Sequence, residues 1–190
     1  MGSSQTFRSL KNRNARLFFG GLLFSNVGSW LQSTAISILV YRLTGKATDL
    51  GITVAMQFLP MLIFGAWAGA VADRRDKRRM CLLTQSLMTA QALLLGILDF
   101  AGLVTVPVVY VLALLLGFAN AFDNPARRGL VVELVPSDDI SNAMALNTAV
   151  MTGSRIFGPA LAAALVGPLG TAWLFTINGI SFVAVLASLT

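Results

Sequence analysis

Long apolar runs separated by short charged or glycine- and proline-bearing breaks organise this sequence. Residues 17–41 and 50–72 contain no Lys, Arg, Asp or Glu, and each exceeds the about 20 apolar residues that a helix needs to cross a bilayer core. Breaks at Arg42–Asp49, Asp73–Arg79, Asp99–Gly102 with Pro107, Arg127–Asp139 and Gly167–Gly170 divide the rest. Six apolar segments result, at about 17–41, 50–72, 80–98, 104–122, 140–166 and 171–190, behind a basic arm at 1–16. Hydrocarbon cannot satisfy a free backbone amide, and the pattern lacks the short alternating strands of a barrel, so every segment is predicted to be helical. The expectation is an all-α bundle of six transmembrane helices.

Composition agrees. The chain has 190 residues, of which 56% are apolar and 12% charged, whereas a soluble domain carries about 25% charged residues. A net charge of +6 in so apolar a chain points to the cytoplasmic membrane face rather than to nucleic acid. Alternate breaks lie on the same side. One side, with the arm (Arg8, Lys11, Arg13, Arg16), the loop 73–79 and Arg127–Arg128, holds eleven basic residues; the other holds Arg42 and Lys46. This asymmetry predicts a cytoplasmic N-terminus. The apolar stretch after the arm is longer than the about 7–15 residues of a signal-peptide core, so it reads as a retained first span. A single cysteine, Cys81, and the absence of histidine exclude an intrachain disulfide framework, imidazole-dependent nucleophilic triads and the usual zinc sites. No metal or cofactor is expected.

The candidate chemistry lies where polar groups interrupt apolar helices. Segment two carries Gly65-Ala66-Trp67-Ala68-Gly69, and segment five carries Gly153, Ser154, Gly158, Pro159 and a run of alanines. Small residues of this kind allow close helix crossings in lipid, and Pro159 removes an amide donor and should loosen its helix. Their matching positions in a three-plus-three division hint at an internal repeat of the transporter type. Arg155 lies about 22 Å along a helix starting near Ile140. A charge so deep needs a protein or aqueous surrounding and is read as a functional site. Asn26, Ser29 and Ser33 form a stripe beside Trp30, with Gln32 and Thr34 close by; such a stripe lines a path or bonds to neighbouring helices. Asp123 lies in the polar run Asn120–Gly129, where a helix reaches the cytoplasmic interface. Asp99 is expected to be a solvated interface residue, and Cys81 a small packing group.

Topology explains the Lys and Arg residues of Gly69-Ala70-Val71-Ala72-Asp73-Arg74-Arg75-Asp76-Lys77-Arg78-Arg79, but not the acid at Asp73. This string resembles the signature loop between the second and third helices of the major facilitator superfamily, with Asp76 standing where glycine is usual. The resemblance implies that Gly69, Asp73, Arg74 and Arg78 belong to a conformational-switch loop, and that Asp73 pairs with Arg127 or Arg128. Asp123-Asn124-Pro125-Ala126-Arg127, Glu133-Leu134-Val135-Pro136 and Asn142-Ala143-Met144-Ala145-Leu146-Asn147 resemble the bacterial exporter branch that includes enterobactin and macrolide exporters. Gly153–Ala160 is similar to the antiporter signature of helix five, and Asn26, Gln32, Asp123 and Arg155 become candidates for a substrate or coupling pathway. The resemblance implies the N-terminal half of a bacterial inner-membrane transporter rather than an enzyme. Such a protein exports a small lipophilic or amphiphilic compound, drug- or siderophore-like, by proton antiport, and needs a second six-helix half. The alternative is a non-transporting scaffold or receptor-like subunit, which would need neither the acid-led loop nor a buried Arg. A membrane aspartyl protease would need paired intramembrane acids in a Gly-x-Gly-Asp setting, absent from this sequence.

Overall fold

The computed structural model describes residues 13–133 and 135–189; Arg8 and Lys11 of the basic arm lie outside them. Six α-helices occupy this range: α1 Arg13–Thr44, α2 Ala47–Arg74, α3 Lys77–Phe100, α4 Val106–Glu133, α5 Ile140–Leu169 and α6 Thr171–Leu189, with a short 3-10 turn at Ser137–Asp139. Among the described residues there is no strand. The expected all-α bundle is therefore the observed one. α2 to α5 are each long and apolar enough to cross a membrane, and α6 carries a shorter apolar stretch, Thr171–Val183. α1 is the longest helix at 32 residues, but its polar stripe dilutes its apolar character.

Several helices run beyond their apolar segments. α4 is the clearest case. It continues through Pro125 to Glu133, so Arg127 and Arg128 stand on a helix where the sequence suggested an interhelical polar segment. Proline at the fourth position after Ala121 removes one amide donor, and the helix continues for two further turns beyond it. α5 likewise runs unbroken through Pro159 and Pro168. The turns α1–α2, α3–α4 and α5–α6 share one end of the bundle, and each carries a glycine at positive φ: Gly45 (65°), Gly102 (67°) and Gly170 (79°).

The packing repeats under exchange of α1–α3 with α4–α6. α1 packs chiefly on α5 and α6, α4 chiefly on α2 and α3, and α3 and α6 pack on each other. At two crossings among the described residues the backbone or a Cβ of the neighbouring helix itself comes too close for anything but glycine. A Cβ on Gly158 of α5 would stand 2.4 Å from Trp30 Cβ of α1, and one on Gly117 of α4 would stand 2.5 Å from the Gln57 carbonyl of α2. The small residues of α2 behave differently from their expected role. Among the described residues, Gly69 has nothing from another helix within 4 Å of a Cβ position, and Gly65 and Gly153 meet only side chains of their own helices. The GxxxG of α2 therefore makes no close crossing among the described residues, and α2 presents Leu62, Ile63 and Trp67 outward.

The apolar core is stacked along the bundle in three groups: around Leu22, Cys81 and Leu130 at one end, around Met88 and Phe182 in the middle, and around Leu39, Leu95 and Phe175 at the other. Cys81 is buried as a small packing group. Most hydroxyls in the helices bond to the carbonyl four residues back, as Ser29 does to Ser25, Thr34 to Trp30 and Thr53 to Asp49. A hydroxyl satisfied within its own helix costs little in an apolar layer.

Candidate functional site

Among the described residues, buried polar groups bond between helices in three clusters. The first surrounds Asp123 of α4, whose side chain is completely buried. Thr84 Oγ1 and Gln85 Nε2, on the first turns of α3, donate to its Oδ1 at 2.7 and 3.0 Å. Arg127 Nη2, one turn on along α4, donates to its Oδ2. Spacing of four residues puts the acid and guanidinium on one helix face. A carboxylate this buried needs both a countercharge and donors for its remaining lone pairs, and α3 supplies the donors. Beside Arg127, a narrow polar crevice opens between α1, α4 and α5, lined by Asn26, Asn124, Arg127, Arg128 and Asn147.

Asp73 holds a different position. It is exposed at the end of α2, and of the two basic partners implied for it, Arg127 or Arg128, the first is engaged by Asp123 instead. Arg128 is exposed and reaches the crevice, and no ion pair of either Asp73 or Arg128 occurs among the described residues. One contact that joins the loop region to α4 runs from Lys77 Nζ to Glu133 Oε1, at 2.8 Å. Arg74 and Arg78 are exposed. Asp76, the departure from the signature, caps α3 by accepting from the Arg79 amide at 2.8 Å. Asp at a helix start is favoured by both the free amides and the dipole, so this residue has a local structural reason.

The second cluster lies deeper. Gln32 of α1 is wholly buried, donates from Nε2 to Gln91 Oε1 of α3 at 2.9 Å, and accepts from Asn178 Nδ2 of α6 at 2.6 Å. Three helices are thus joined by one chain of amides. Asn26, by contrast, donates to the Leu22 carbonyl of its own helix, and Ser33 reaches Gln57 of α2 at 3.5 Å. Of the two readings of the stripe, Gln32 takes the helix-bonding one, while Asn26 borders the crevice. Thr84, Gln85, Gln91 and Asn178 were absent from the sequence candidates. Each is an uncharged hydrogen-bonding residue inside a long apolar run, and that is the signal that marks them.

Arg155 is exposed on α5, and its guanidinium carbon lies 5.4 Å from the Trp30 ring centroid. A guanidinium over an aromatic face is attracted by the ring quadrupole. Its neighbours Ile156 and Phe157 are also exposed, so this face of α5 is not covered by the helices described. At the opposite end of the bundle, Asp99 corrects its expected solvation. Its side chain is 3% exposed, pairs with Arg42 at 2.7 Å and accepts from Thr171 Oγ1, tying α1, α3 and α6 together. Among the described residues no group of acidic or cysteine side chains could hold a metal ion.

Residues 4–190 match the family described as transmembrane secretion effector. The chain belongs to that family, within the major facilitator superfamily. It is 26% identical over 176 residues to the staphyloferrin A transporter of Staphylococcus aureus (strain NCTC 8325 / PS 47), covering 92% of this chain and 44% of that protein. It is 26% identical over 147 residues to macrolide efflux protein A of Streptococcus pyogenes, covering 77% of this chain and 36% of that protein. An uncharacterized MFS-type transporter, YfiS of Bacillus subtilis (strain 168), is 27% identical over 162 residues, 83% of this chain and 37% of its own length. The chain thus spans less than half the length of the curated relatives it matches. As a member of this family with several long apolar helices, it is a multi-pass membrane protein.

Proposed function

We propose that this chain is the N-terminal six-helix half of a secondary transporter that exports a small lipophilic or amphiphilic compound, driven by proton antiport. The carrying observation is Arg155. It lies about 22 Å along α5, it is permanently charged, and it rests against Trp30 on a face left open by this bundle. A charge at that depth is stable only against water or protein, which fits a central cavity closed by a second half. The names of two relatives, a siderophore transporter and a macrolide efflux protein, favour a cargo of that amphiphilic kind, and Arg155 would meet an anionic or electron-rich group on it. The role is transport rather than enzymatic catalysis. The buried Asp123 carboxylate, held by Arg127, is the coupling candidate in this half. The basic end with 74–79 and 127–128 faces the cytoplasm of a bacterial cell, the N-terminus with it.

The test is export by the full-length protein in cells, measured with a panel of macrolides and catecholate or carboxylate siderophores. Arg155→Met should abolish export at normal membrane abundance, and Arg155→Lys should keep a small fraction. Collapse of the proton gradient should stop wild-type export. Full export by Arg155→Met would remove the basis of this reading.

A further inference from the structure

Between α2 and α3, which touch one another little, a groove of about 590 Å³ opens on the flank of the bundle, with α4 as its floor. Its walls are exposed leucines, Leu83, Leu87, Leu94 and Leu115, and the small side chain of Ala119 gives it depth. Thr84 and Gln91 also border it; Thr84 donates inward to Asp123 and Gln91 Oε1 accepts from Gln32, while the buried Gln91 Nε2 has no partner among the described residues, so the wall is apolar apart from that amide. At one end stands Arg75, exposed and without an ion pair among the described residues. Segment 73–79 around it carries five basic and two acidic residues. From Met80 to Leu94 the groove follows α3 for about 21 Å at ~1.5 Å per residue. One leaflet contributes ~15 Å of hydrocarbon, so the groove accommodates an acyl chain lying along the helix with its polar end at Arg75.

We propose that this groove is a binding site for an anionic phospholipid, one acyl chain against α3 and α4 and the phosphate on Arg75. An acyl chain moving from bulk lipid into an apolar groove gains no hydrophobic free energy, because both surroundings are hydrocarbon. Selectivity therefore rests on the headgroup. The basic segment attracts an anionic headgroup, and a zwitterionic lipid of the same chain length lacks that attraction. This binding does not depend on the transport reading.

The test places an indole in the wall by Leu83→Trp, at an exposed position that a larger side chain does not crowd. The full-length protein is reconstituted in phosphatidylcholine bilayers containing a small fraction of brominated phosphatidylglycerol or brominated phosphatidylcholine. Quenching is read as the difference from the parent protein. The brominated anionic lipid should reach half-quenching at about fivefold lower fraction than the zwitterionic one, and Arg75→Gln should abolish that preference. Native mass spectrometry of the unmutated protein, delipidated from an equimolar mixture of the two lipids, should retain phosphatidylglycerol selectively. Equal quenching by both lipids, or a preference that survives Arg75→Gln, would overturn the proposal. So would absence of quenching by either, which would mean that protein covers the groove.

Discussion

Asp73 and Asp123 lie toward the same end of the bundle, and each follows a run of small or apolar residues as its helix leaves the hydrophobic layer. Their surroundings differ in every respect. Asp123 is fully buried, with Arg127 as countercharge and Thr84 and Gln85 as donors, so its contacts are part of the packing of α3 on α4. Asp73 is exposed, and its carboxylate touches no guanidinium among the described residues. The more legible residue, the acid of the signature loop, is thus the one the fold does not need. On the proposed function, a group without an ion pair in this fold can pair in one transport state and release in another. A group locked by three donors cannot do so without unpacking α3 from α4.

The comparison breaks most visibly at Asp123. Asp123→Asn removes the countercharge of Arg127, whose side chain is only 13% exposed, and loss of one partner of such a pair costs about 3–5 kcal/mol. Melting of the purified protein should fall by more than for any other variant here, and membrane yield should fall with it. Adding Arg127→Gln should recover much of the loss, since the orphaned charge then disappears. The next effect is steric. Gly158→Val should cost about 1–3 kcal/mol by overpacking against Trp30 and the Val27 carbonyl. Gly153→Ala, with only its own Phe157 near the new Cβ, should stay within about 0.5 kcal/mol in the same melting assay. The smallest effect belongs to Lys77→Met. The Lys77–Glu133 pair is partly exposed, with side chains 21% and 54% accessible, and such solvent-screened pairs contribute little to stability. Raised salt should erase what difference remains.

The apolar periodicity made six helices legible, together with the start of α5 at Ile140 and hence the depth of Arg155, because a bilayer leaves the backbone no other choice. The interior of the site was less readable. That Asp123 faces α3, and Asp99 faces α1 and α6, depends on helix rotation, which an apolar run does not encode. Thr84, Gln85 and Gln91 look like incidental polar residues until three helices converge on them. The GxxxG of α2 misled for a related reason: small residues show where a backbone can come close, not which neighbour does. The continuation of α4 past Pro125 was hidden because proline and charge together read as a helix end. Arg127 following Asp123 by four residues was the available clue to both the helix and the pair.

The division of labour between the two acids is tested most directly by Asp73→Asn in the full-length protein, measuring export and melting on the same preparation. The account predicts wild-type melting with export strongly reduced, and partial return of export when Asp73 exchanges charge with its partner in the alternate state. Full export by Asp73→Asn, or a loss of melting temperature matching that of Asp123→Asn, would contradict it.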